Sequence, residues 1–303
     1  MKRISNTQYQ ISNIQSYAPT WNLPACRRGR ECGTWNFADI QSFLDQKYLS
    51  FNHPVFIETD PIQVPALFTT KENIEIAGFL AATLAWGQRP TIIRNSLKLV
   101  SLMNNNPIEF LLNTPEDEWD TFSDFKHRTF NGIDCIYFLK SLRNIYLNHG
   151  GLEQVFSTGY LKDQTIFTSL VHFRKVFFEL GHEHRTEKHV SDVEKGAAAK
   201  RLNMYLRWMI RSDNSGVDFG LWEQIPASAL MLPLDVHTGN VARKLGLLTR
   251  TQNDWRAVEE ITDKLRGFDP QDPIKYDFAL FGLGVFEKSL FPSPSPLEKG
   301  VVL

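Results

Sequence analysis

Cysteine is scarce in this chain: Cys26, Cys32 and Cys135 are the three in 303 residues. They form no spaced quartet that would hold an iron–sulfur cluster or a structural zinc. So low a count in a chain this long also argues against a disulfide scaffold and fits a reducing compartment. Long apolar runs are missing too. The most apolar stretch, Ile74 to Trp86, is interrupted by Glu75 and falls short of the ~20 residues that span a bilayer. Lys2 and Arg3 have no apolar segment behind them, so no secretory signal is read. The expectation is a cytoplasmic protein with no membrane partner. Neither sign of charge predominates, with 33 Lys and Arg against 34 Asp and Glu. That excludes binding to polyanions through overall charge, but not through a local basic stripe. No alternating β-rich series and no internal repeat are present. The absence of any His-Asp dipeptide counts against the helical phosphohydrolases that use one.

What remains is a core-forming, helical chain. Hydrophobic residues make up 42% of it, with 22 Phe and 7 Trp mostly inside apolar runs. Helical spacing is read over Phe37–Tyr48, Ile74–Trp86, Thr91–Met103, Ile133–Asn148 and Thr165–Leu180. It continues over Ala197–Arg211, Val236–Leu245, Trp255–Arg266 and Tyr276–Phe286. The fold class is therefore all-α. Residues 1–36 read as a disordered leader, 37–290 as one helical domain with room for two lobes and a cleft, and 291–303 as a Pro/Ser tail.

Two local features stand out. On a helical wheel, Lys200, Asn203, Arg207 and Arg211 fall on one line, opposite Ala198, Leu202, Tyr205, Leu206 and Met209. One face would then pack and the other present cations, either as a solvated face or as a phosphate contact. The second feature is Leu232-Pro233-Leu234-Asp235-Val236-His237. Here an aspartate follows a Pro-containing apolar turn and precedes a helix that ends at Gly246. Asp235 is placed to cap that helix, where its charge is rigidly aimed and favoured by the positive end of the helix dipole.

A basic-edged helix, a connection, then Pro233 to His237 and a short helix through Arg243-Lys244-Leu245-Gly246 resembles the helix–hairpin–helix Gly/Pro-Asp superfamily of DNA glycosylases. The 8-oxoguanine branch is the most similar in wording. The segment Leu84 to Ile93 is similar to the glycosylase stretch in which a polar residue fills the gap left by a flipped base. From residue 37 to 286 the chain also resembles an uncharacterised bacterial family of unknown function, through phrases such as Glu75–Phe79, Ala85–Arg89, Phe125–Phe130, Lys200–Met204, Leu206–Met209 and Lys275–Phe281.

The glycosylase resemblance implies excision of a damaged base flipped out of double-stranded DNA, with no cofactor and no obligate protein partner. It implies Asp235 as the carboxylate and Lys200 as a lyase amine, with Lys195 as its rival. Gln88 would fill the gap. Arg89, Arg201, Arg207, Arg211, Arg243 and Lys244 would contact the nucleic acid. The turn Val193-Glu194-Lys195-Gly196 has a single glycine where that superfamily's hairpin has two, and the connection from Lys200 to Asp235 is longer than in the endonuclease III type. Two other readings stay open: a catalytically silent nucleic-acid binder on the same scaffold, and a metal-dependent hydrolase using His182, His184 and His189. Phe125–Phe130 reads either as a phosphate contact through His127 and Arg128 or as a surface turn anchored by two Phe.

Overall fold

Helix α2 (Lys71–Leu84) is the centre of the molecule, buried at every residue from Asn73 to Leu84. Its sequence is apolar nearly all round, which only a helix surrounded by others can satisfy. In this computed structural model, residues 36–213 and 215–287 are described. Apart from Asn36, the expected leader falls outside them, as do the Pro/Ser tail and the cysteines Cys26 and Cys32.

The other helices are α1 (Phe37–Phe51), α3 (Arg89–Leu102), α4 (Pro107–Asn113), α5 (Gly132–Asn148), α6 (Leu152–Tyr160) and α7 (Ile166–Phe177). They are followed by α8 (Lys200–Ile210), α9 (Val236–Lys244), α10 (Trp255–Phe268) and α11 (Tyr276–Val285). Short 3-10 turns join them. The chain is thus mostly helical, as the periodicity predicts, with two helices (α4 and α6) that the spacing alone does not reveal. Among the described residues no helix is long and apolar enough to cross a membrane.

The absence of strands needs one correction. Lys126–His127 (β1) and Phe130–Asn131 (β2) pair antiparallel, Lys126 opposite Asn131 and His127 opposite Phe130. Strands of two residues are too short to leave an alternating pattern.

Local chemistry sets the helix starts. Asn36 and Asn131 each close a reciprocal capping box, with Asp39 and Asp134 respectively. Thr165 caps α7 and Asp254 caps α10. The core then closes through aromatic contacts: the ring of Phe79 on α2 meets Phe138, Phe173, Phe177 and Tyr205 at centroid distances of 5.5 to 5.9 Å. The C-terminal helix α11 lies against α1 and α9. That approach is close because Gly282 has no side chain; a Cβ there would come within 2.3 Å of the Phe51 ring. Cys135 is buried in this core, and burial pushes its thiol far above the usual range, so it is chemically inert.

Candidate functional site

The alanine run before α8 is not helical. Ala199 sits at φ 49°, in the left-handed region, and α8 begins at Lys200. Tertiary contacts override alanine's propensity here: Ala197 bridges to Asp254 and Trp255 N–H donates to Gly196 O at 3.0 Å. The ammonium of Lys200 therefore stands at the first turn of its helix. Asp235 caps α9, its Oδ1 accepting from Thr238 N–H at 3.0 Å. That bond aims the other carboxylate oxygen at the lysine, and Lys200 Nζ lies 4.0 Å from Asp235 Oδ2. Both side chains remain partly exposed, 28% for the lysine and 23% for the aspartate, so a ligand can reach the pair.

Asp235 is held from behind. Asn253 Nδ2 donates to the Asp235 carbonyl at 3.1 Å, and Asn253 Oδ1 in turn accepts from Arg243 Nη2 at 2.6 Å. Arg243 also donates through Nε to Arg250 O at 2.8 Å. Arg243, expected at the nucleic acid, is thus engaged inside the protein as a brace for the Asp235 turn. Asn253 is a positioning residue that no local pattern marks. Its neighbours Asp254 and Trp255 hold the backbone just before Lys200, so one short segment braces both members of the pair.

The cationic line on α8 requires a larger correction. Asn203, Arg207 and Arg211 are buried, Arg211 completely. Their carboxylate partners come from elsewhere in the chain. Arg207 donates through Nε to Asp218 at 3.2 Å and through Nη1 to Asp277. Arg211 meets Asp272 at 2.9 Å, Asp218 at 3.0 Å, Asp213 at 2.5 Å and the Tyr48 hydroxyl at 2.8 Å. These arginines cannot touch a nucleic acid without unfolding the network. A helical wheel records angle and not exposure, and a second layer that includes Asp213, Asp218, Asp272 and Asp277 of α11 covers this face. Asp277 is the inner end of the candidate site. Burial pushes its carboxyl up to about 6, Arg207 and Lys200 pull it down, and Asp235 pushes it up again.

Arg201 is also used internally, donating to Thr83 O and, at 3.0 Å, to His189 O. Burial lowers its pKa to about 10. Arg89 spreads its guanidinium over the rings of Phe281 (5.0 Å) and Phe286 (5.7 Å). Gln88 is exposed at the N-cap of α3 and makes no side-chain capping bond. Its corner is tied to α11 through Arg89, and α11 packs on the Asp235-bearing α9. Lys244 is exposed at the end of α9. Lys195 stands on the turn before α8 and pairs with Asp192 at 3.4 Å, so the lysine beside Asp235 is Lys200.

The three imidazoles of the hydrolase reading do not converge. His182 and His184 both face Glu187, at 3.4 and 3.0 Å, while His189 is buried against Asp134 at 3.2 Å. Among the described residues no group of three His, Cys, Asp or Glu is arranged to hold a metal. His189 instead offers a stability test. Burial depresses its pKa from 6.5 to about 4, against the pull of Asp134. A histidine with a depressed folded pKa contributes stability that is complete above about pH 6.5 and lost as the pH falls toward about 4. Urea unfolding at pH 7 and pH 5 should show the wild type losing about 2 kcal/mol from this source. His189→Gln should lose correspondingly less over that interval; parallel pH profiles would remove the assignment.

Comparisons with curated proteins and with solved structures return no match. One family model spans residues 60–286, from the turn before α2 to the end of α11, and takes in Lys200, Asp235 and Asp277. Over most of its length, then, the chain belongs to the family described as "Protein of unknown function (DUF2400)".

Proposed function

We propose that the protein is a DNA base-excision enzyme on a helix–hairpin–helix glycosylase plan, acting on a damaged base flipped from a duplex. The observation that carries this reading is the 4.0 Å approach of Lys200 Nζ to Asp235 Oδ2 at a partly open surface. An amine and a carboxylate far apart in the chain are brought together by two helix starts, and both groups can be reached from solvent. The order of a 3-10 helix (His184–His189), a turn at 193–196 and a helix opening on Lys200 also supports it.

In this chemistry the Lys200 amine, once deprotonated, bonds to the sugar C1′. The glycosidic C–N bond breaks, and the base leaves with the bonding electrons and takes up a proton. Asp235 stabilises the positive charge that develops on the sugar. Ring opening gives an iminium, which borohydride reduces to a stable secondary amine. Incubation with a panel of damaged duplexes and borohydride should therefore trap a covalent adduct with the wild type and with Lys195→Ala, and none with Lys200→Ala. An adduct that survives Lys200→Ala and vanishes in Lys195→Ala transfers the role. No adduct and no base release from any duplex removes the lyase and glycosylase reading together.

The second reading is a DNA binder without excision. It is favoured by the full use of Asp235 Oδ1 as a cap, which accounts for the residue without chemistry.

A further inference from the structure

The corner between α2 and α3 packs against the β1–β2 hairpin through one buried histidine. His127 Nδ1 meets Asn95 Nδ2 at 2.9 Å, and Nε2 meets Trp86 O at 3.2 Å. On either side of His127, Lys126 and Arg128 are exposed. On α3, Arg94 precedes Asn95 and Lys98 follows it by one turn, both exposed. The two segments that meet at this buried contact thus carry four exposed cations beside it in sequence. Among the described residues none of the four is ion-paired, unlike Arg207 and Arg211. Asp124 is the nearest carboxylate in sequence, while Glu116 of the preceding turn is drawn to Lys140 on α5 at 2.8 Å.

Arg128 is the most constrained of the set. It occupies the left-handed region at φ 56°, where glycine or asparagine is the less costly choice. Its guanidinium lies over the Trp86 ring at 4.8 Å. Gly87, at φ +114°, leaves the room; a Cβ there would come within 2.9 Å of Arg128 Nη1. A strained backbone and a missing side chain therefore both serve to hold one guanidinium over an indole. A stacked guanidinium keeps its in-plane N–H groups free to grip two phosphate oxygens. The patch borders the candidate site. Gln88 follows Gly87 directly, and the charge of Arg201, next to Lys200, reaches His127.

We propose that Arg128, held over the Trp86 ring, forms with Arg94, Lys98 and Lys126 a phosphate-backbone contact for duplex DNA. The choice of DNA as the polyanion rests on the proposed function; the existence of the contact does not depend on catalysis. It replaces the α8 arginines as the source of affinity.

The test is fluorescence anisotropy of a labelled duplex, undamaged and with an abasic site, over a salt series. It compares the wild type with Arg128→Ala, Arg94→Ala/Lys98→Ala and the triple variant, each checked for folding by circular dichroism. Each lost phosphate contact should flatten the slope of log affinity against log salt by about 1. The triple variant should bind at least ~10-fold more weakly at moderate salt, and the exposed Lys264→Ala should bind as the wild type does. A triple variant with wild-type affinity and slope overturns the proposal. So does a wild type that binds no duplex, or that binds RNA of the same sequence in its place. Loss of binding in the patch variants, with no adduct trapped by any lysine, leaves the contact standing and removes excision. Trapping with unimpaired binding by the patch variants does the reverse.

Discussion

Asp218→Ala is expected to cost about 3–5 kcal/mol, a large share of the stability of a domain this size. Asp218 is fully buried in side chain and stands between Arg207 Nε at 3.2 Å and Arg211 Nη1 at 3.0 Å. Its removal leaves two guanidinium groups in an apolar layer with one shared counter-charge gone. Neither arginine can shed its proton to relieve the imbalance, because its pKa lies far above neutrality. Each keeps another partner, Asp277 for Arg207 and Asp272 and Asp213 for Arg211, which limits the loss. Asp218→Asn retains shape and one acceptor and should fall between the wild type and the alanine variant. Urea unfolding curves measure this directly. A loss below about 1 kcal/mol for the alanine variant would mean that water reaches these charges and that the network is not dry.

Asp235→Asn should separate chemistry from folding more sharply than any other change. Asparagine caps a helix as well as aspartate does, so the bond to Thr238 N–H survives and the unfolding free energy should stay within about 0.5 kcal/mol of the wild type. The charge opposite Lys200 is gone, and base release from whichever duplex the trapping panel identifies should fall by about 10²- to 10³-fold. Asp235→Ala adds the lost cap, about 1 kcal/mol of stability, to the same loss of rate. Single-turnover base release and unfolding curves on the same preparations provide both readouts. An Asn variant that releases base at the wild-type rate would reduce Asp235 to a cap, and the candidate site would lose its carboxylate.

The helical class was legible because most helices carry their pattern locally: α2 in its apolar run, α9 in the Asp235 cap and the closing glycine. Asp235 and Lys200 could be nominated for the same reason, since each stands at a helix start that short-range rules recognise. The partners of the α8 stripe were not legible. Arg207 finds Asp277 seventy positions away and Arg211 finds Asp272 sixty-one away, and no wheel drawn on α8 contains either. Ala197 to Ala199 misled in the other direction, because the strongest helix former was pulled out of the helix by a bridge to Asp254. Asn253 had no local mark at all; its importance is the place of its amide under Asp235. Arg128 and Trp86 were visible only as members of separate phrases, and the hairpin that joins them is too short to announce itself.

Asn253, Asp254 and Trp255 act as a common footing for the two halves of the site. The amide of Asn253 grips the turn at Asp235, while Asp254 and Trp255 grip the strand of chain that delivers Lys200. Loosening that footing would therefore disturb amine and carboxylate at once, through the backbone that carries them and not through the reactive groups themselves.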